Sequence, residues 1–224
     1  MTNTHNLRQT ACTLSAAACL CLLSGCLHLE QTLKFQRDGS VVATYHYAIP
    51  AAMLPALTAA QNTLDQQLPP AADGNIPPPL PMNWFLNETA VRNFFRRPGV
   101  ELRQYRQVEH DGQHHVHIII LATDGARAVN TGLFGTMTMK KQDDGRTVFT
   151  VEPPGHNQAW TKDQVERLRQ LCPDLKLTLT VTAPADIVDT NGAQSAARTV
   201  TWTFADDGTA NSPFAIILTL KATW

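Results

Sequence analysis

Three Asp-Gly steps each interrupt a run in which apolar and polar residues alternate, and that period of two constrains the fold of this chain most. Before Arg37-Asp38-Gly39-Ser40, Leu27, Leu29, Leu33 and Phe35 fall on one face, with His28, Glu30, Thr32 and Lys34 on the other. After it, Val41, Ala43, Tyr45, Tyr47 and Ile49 oppose Val42, Thr44, His46 and Ala48. Successive side chains of a strand point to opposite faces, so this pattern predicts a hairpin with one buried face. Asp-Gly supplies the turn, because its glycine takes positive φ without a steric penalty. The same arrangement recurs twice. Val100–Glu109 is expected to pair with His114–Ala122 across Asp111-Gly112, and Thr136–Gln142 with Thr147–Glu152 across Asp143-Asp144-Gly145. Lys176–Ala183, Thr199–Phe204 and Phe214–Thr223 read as three further strands.

Helical spacing appears between them. Met53, Leu57, Ala60, Leu64 and Leu68 recur at intervals of three and four, with Pro55 suited to a first turn. Asn87 can cap a short helix whose apolar side is Val91, Phe94 and Phe95, closed by Pro98-Gly99. Thr161 and Gln164 form a capping box for a helix over Thr161–Leu171, with Trp160 placed to staple onto Val165. Leu68–Pro81 holds six prolines and reads as a stiff exposed loop. The expected fold class is therefore α+β: an antiparallel sheet built from hairpins, with two to three helices packed on one face. Residues 26–224 form one domain in this reading, with the proline-rich loop at 68–81 inside it.

The first 25 residues follow a different logic. Arg8 and the chain amine precede Ala11–Leu23, an uncharged apolar run of thirteen residues. That length fits the hydrophobic region of a secretory signal and falls short of the ~20 residues of a membrane span. An uncleaved signal anchor is the alternative. Leu23-Ser24-Gly25-Cys26 matches the bacterial lipobox at every position. The match implies a diacylglycerol thioether on Cys26 and cleavage between Gly25 and Cys26. The cofactor expectation is accordingly none beyond this covalent acyl lipid. Two or three acyl chains suffice for stable anchoring, at ~0.8 kcal/mol per buried methylene. Leu27, rather than aspartate, follows the cysteine. This implies the outer membrane in a Gram-negative host, and otherwise the outer leaflet of the cytoplasmic membrane.

Composition narrows the chemistry. With 18 basic and 19 acidic residues and 7% aromatics, the chain lacks the basic face and stacking platform of a nucleic-acid binder. Cys12, Cys19, Cys21 and Cys26 lie in or beside the leader, so Cys172 has no partner in the mature chain and reads as a buried structural residue. No G-x-S-x-G, H-E-x-x-H, Walker or dinucleotide pattern occurs. His115 and His117 share a strand face at a spacing that zinc enzymes use, with His110 across the turn as a third candidate. A metal-dependent hydrolase on His115 and His117 is thus one alternative function. It competes with the observation that no acid within the segment orients the imidazoles. Arg92, Arg96, Arg97, Arg103 and Arg106 fall within fifteen positions. They read as a patch for anionic lipid headgroups or an acidic partner, or else as a solvated helix end beside a polar strand.

Both ends of the expected domain resemble the LppM-like bacterial lipoproteins. The residues that carry the resemblance are "GCLHLEQTLKFQRDGSVVATYHYAIP" at the start and "APADIVDTNGAQSAARTVTWTF" over Ala183–Phe204. The residues themselves predict a turn of positive φ at Asn191-Gly192, and packing of Trp202 and Phe204 on one face. The resemblance implies an envelope-facing domain with a lipid- or glycolipid-binding fold, and no catalytic residues carry over. The leading expectation is a non-enzymatic, membrane-anchored envelope lipoprotein that binds lipid, glycolipid or an envelope protein partner. A purely structural envelope lipoprotein is the remaining alternative.

Overall fold

The computed structural model describes residues 27–55, 84–151, 175–205 and 220–224. Two strands open it, β1 (His28–Phe35) and β2 (Val41–Pro50), joined by the Asp38-Gly39 turn. Gly39 takes φ +86°, and Asp38 Oδ1 accepts from both the amide and the hydroxyl of Ser40. A short helix α1 (Glu88–Phe94) follows, its N-terminus capped by Asn87 Oδ1 accepting from Ala90 N at 3.1 Å. Then come β3 (Val100–His110) and β4 (Gln113–Ala122), a second short helix α2 (Gly125–Asn130), β5 (Met137–Lys141) and β6 (Thr147–Val151). β7 (Lys176–Thr182), β8 (Asp189–Thr190), β9 (Ala193–Ala196), β10 (Thr199–Ala205) and β11 (Leu220–Thr223) complete it.

The strands form two sheets. The larger has seven strands in the order β3-β4-β2-β1-β7-β10-β9, and the smaller has four in the order β5-β6-β11-β8. All three Asp-Gly hairpins form as the alternation predicts. The α+β expectation is overturned: 55% of the described residues are strand, with two short helices between them. Nor is the larger sheet wholly antiparallel, because β1 pairs with β7 in parallel at its centre. Alternation states which residues share a face but carries no information on which distant strand completes a ladder. The helix expected from Met53 onward and the one over Thr161–Leu171 lie outside the described residues, apart from a 3-10 turn at Ala51–Met53. α2 was not anticipated, since six residues are too few to display a helical period.

One face of the larger sheet carries the core. Leu33, Val41, Ala43, Ile49, Val116, Ile118, Ile120, Val181 and Val200 are all buried there. Over β2, the segment before α1 and the end of α1 supply an aromatic cover. Phe85 stacks on Tyr47 with ring centroids 4.0 Å apart, and Phe95 leans on Tyr45. At the opposite end of β1, Phe35 meets Phe149 of β6 and Trp224, so the smaller sheet closes the core from that side. Gln31 interrupts the apolar face of β1 but is satisfied, donating to Tyr45 Oη at 3.2 Å and to the Phe134 carbonyl at 3.1 Å.

Asn191-Gly192 differs from its expected role. Gly192 does not take positive φ; instead, a Cβ placed there would fall 2.5 Å from Val200 Cγ2 and 2.6 Å from Trp202 Nε1. The glycine lets the chain lie against the Trp202 indole. Asn191 Oδ1 accepts from Trp202 Nε1 at 3.0 Å and from the Lys221 amide at 2.9 Å, joining β10 of one sheet to β11 of the other. Trp202 and Phe204 do pack together with the core, as their shared face predicts.

Candidate functional site

The larger sheet's outer face, opposite the core, is polar in rows that run across the strands. Thr201, Thr180, Thr32 and Thr44 sit side by side on β10, β7, β1 and β2. The hydroxyls of Thr180 and Thr201 are 3.1 Å apart, and those of Thr182 and Thr199 are 3.2 Å apart. The adjacent row reads Thr203, Thr178, Glu30, His46, His117 and Arg106. This row brings the chemistry-bearing residues together.

His46 lies directly opposite His117 and diagonal to His115. The His46 ring stacks on His117 with centroids 4.2 Å apart and on His115 at 5.4 Å. His46 Nε2 is 3.1 Å from His115 Nδ1, and His46 Nδ1 is 3.4 Å from Glu30 Oε2. Partial burial holds the pKa values of His115 and His117 below the usual histidine range, and the neighbouring His46 lowers both further. Arg106 adds to this effect on His117, while Glu30 opposes it. His110, the third residue expected from the sequence, is paired instead with Asp111 at the exposed hairpin tip, at 3.0 Å. Among the described residues, no group of three or more His, Cys, Asp or Glu side chains is placed to hold a metal ion.

Sequence reasoning missed His46 and Glu30 as site residues. Half of the signal was present: a hairpin centred on Asp38-Gly39 places Glu30 opposite His46 by counting outward from the turn. The other half, His46 opposite His117, depends on β2 pairing with β4 across some seventy residues, which no local pattern encodes.

The five arginines are distributed over two sides. Arg92 pairs with Glu88 one helical turn away at 2.6 Å, and Arg97 lies over the Phe94 ring at 5.0 Å. Both belong to the α1 region, which packs on the core side through Phe95. Arg96 is exposed at the end of the same segment. Arg106 instead faces outward beside His117, and Arg103, at the bulge between Leu102 and Gln104, pairs with Glu101 at 3.0 Å. Arg103 also borders a shallow depression of about 510 Å³ on the outer face. Apolar Val42, Ile119 and Leu121 line it together with polar Gln36, Asp38, Ser40 and Thr123. Gly25, Cys26 and Cys172 lie outside the described residues.

No protein-family model and no curated protein matches the chain. Among solved structures, the NMR structure of the Mycobacterium tuberculosis LppM protein folded domain aligns with 89% of this chain and 90% of that one, with 14% identity and a TM-score of 0.47. No helix among the described residues is long and apolar enough to cross a membrane.

Proposed function

We propose that this chain is a non-enzymatic, membrane-anchored lipoprotein of a bacterial envelope, lipidated on Cys26, whose outer sheet face binds a lipid or glycolipid. One observation carries the anchoring. β1 begins at His28, so Leu27 alone separates Cys26 from the central strand of the larger sheet. Leu27 is itself held, packing against the core while its carbonyl accepts from Lys176 N at 2.9 Å. A lipid on Cys26 would therefore hold the sheet against the bilayer without a tether, in the outer membrane of a Gram-negative host or otherwise the outer leaflet of the cytoplasmic membrane.

The depression supports the binding role. The apolar lining of Val42, Ile119 and Leu121 together with Arg103 suits an acyl chain or lipid ring with an anionic head. It lies toward the Gln36–Ser40 turn, at the far end of the eight-residue β1. At ~3.3 Å per residue that is about 25 Å along the strand from the anchor.

Mass spectrometry of the mature N-terminus tests the anchor: a diacylglyceryl-modified Cys26 is expected, lost together with membrane retention in Cys26→Ala. An intact N-terminus retaining residues 1–25 overturns the assignment. Extraction of lipid from the detergent-purified chain tests the binding, with Leu121→Asp expected to abolish co-purification. Equal lipid in wild type and variant removes the depression from consideration.

A further inference from the structure

From the stacked rings on β2 and β4 we infer that His46, His117 and His115 are an acid-operated device: neutral, they hold the outer sides of the two strands together, and protonated, they loosen the seam between them. The device is separate from the lipid-binding depression, which lies toward the Gln36–Ser40 turn.

Register brings the rings together. His46 on β2 stands directly opposite His117 on β4 and diagonal to His115. Its ring lies 4.2 Å from that of His117 and 5.4 Å from that of His115, at interplanar angles of 8° and 15°. Neutral rings stacked this closely attract one another. His46 Nε2 and His115 Nδ1, 3.1 Å apart, add a hydrogen bond in which one nitrogen donates and the other accepts. That bond survives one proton on the pair. It is lost with two, because an imidazolium donates from both nitrogens and accepts at neither.

The surrounding charges set the direction. From β1, Glu30 Oε2 stands 3.4 Å from His46 Nδ1, with His28 two positions away on the same face. From β3, Arg106 lies opposite His117. Around the β3–β4 turn, His110 and His114 oppose a charge on His115, and Asp111 favours it. A single carboxylate beside His46 offsets one positive charge, whereas protonation of all three half-buried rings next to Arg106 leaves an excess. Partial burial and then His46 hold the His115 and His117 pKa values below the ordinary 6.5. The unfolded chain therefore takes up these protons first. The seam is fully held above pH 6.5 and loosens as pH falls below it toward the lower folded values. Asp38 and Asp189, both held below the ordinary carboxylate value of 3.8, act in a separate and more acidic window.

The test uses the full chain purified in detergent. Histidine ring signals followed by NMR between pH 8 and 4.5 are expected to show His115 and His117 titrating below 6.5. His46→Gln raises both values, Arg106→Gln raises that of His117, and Glu30→Gln lowers it. Below pH 6.5 the unfolding equilibrium constant from urea titrations is expected to rise by up to about tenfold per pH unit for each proton taken up. Amide protection factors fall along β2 and β4 more than along β7 and β10, whose facing outer residues include the Thr180–Thr201 and Thr182–Thr199 pairs. In His117→Gln the acid-induced rise is shallower, and circular dichroism at pH 7.5 reports that the variant retains its strand content. Ordinary titration of His115 and His117 in the wild-type chain overturns the inference without any variant. So does an equal loss of protection at the two seams, or a His117→Gln chain as acid-sensitive as wild type. Each of these readouts is independent of lipid co-purification at neutral pH.

Discussion

The two faces of the larger sheet are built from the same strands with opposite chemistry. On the inner face Leu33, Val41, Ile49, Val116, Ile118 and Ile120 are fully buried, and Phe85 and Phe95 cover Tyr47 and Tyr45, with Trp84 and Phe94 packed beside them. On the outer face the same strands present threonine pairs, three histidines, Glu30 and Arg106. Cross-strand register does different work on each side. Inside, it matters as volume to be filled without voids. Outside, it sets which polar groups become neighbours.

The sharpest way to break this comparison is a matched pair of adjacent substitutions. Ile118→Ala, on the inner face, is expected to lower unfolding stability by about 2–5 kcal/mol through lost transfer energy and a residual cavity. Ile119→Ala, one residue along and on the outer face, is expected to cost about 1 kcal/mol or less. Urea midpoints of the two variants measure this, and equal losses would mean that both faces are covered.

A smaller effect is expected from the junction between the sheets. Gly192→Ala pushes a methyl group into Val200 and the Trp202 indole, at a cost of about 1–3 kcal/mol for an overpacked site. In a Trp202→Leu background the same substitution is expected to cost less, because the obstructing ring is gone. Additive losses in that double-mutant cycle would locate the strain elsewhere.

The smallest effect sharpens the contrast through pH. Desolvation in the core raises the Tyr45 phenol well above its ordinary range, with Tyr47 nearby adding to the shift, and burial raises Tyr47 likewise. The unfolded chain ionises first, near pH 10, so the contribution of these phenols is complete below that pH and declines as pH rises through the higher folded values. The slope is at most about 1.4 kcal/mol per pH unit for each group. Denaturant midpoints between pH 8 and 11 are expected to fall less steeply in Tyr47→Phe than in wild type. An unchanged slope would place the Tyr47 phenol in contact with water.

Much of the local structure was legible in the residues. The Asp38-Gly39, Asp111-Gly112 and Asp144-Gly145 turns, the strand faces beside them and the Asn87 cap follow from near neighbours alone. The α+β expectation rests on helical patterns over residues 53–68 and 161–171, whereas the described residues are dominated by strands in two sheets. Asn-Gly usually marks a turn of positive φ, and that dipeptide rule does not hold at Gly192. Its requirement is the close approach of Trp202, a residue ten positions on, which is a packing effect invisible to dipeptide reading.

Sequence by itself determined where each hairpin turns and which side chains share a face, because each depends on groups close together along the chain. Tertiary structure alone decided that β2 lies beside β4, that β1 and β7 run parallel, and that Arg106 stands on the other side of the sheet from α1. Those choices rest on burying one continuous apolar face, a property of the whole assembly. His46 owes its place beside His115 and His117 to that burial on the opposite side of the same sheet.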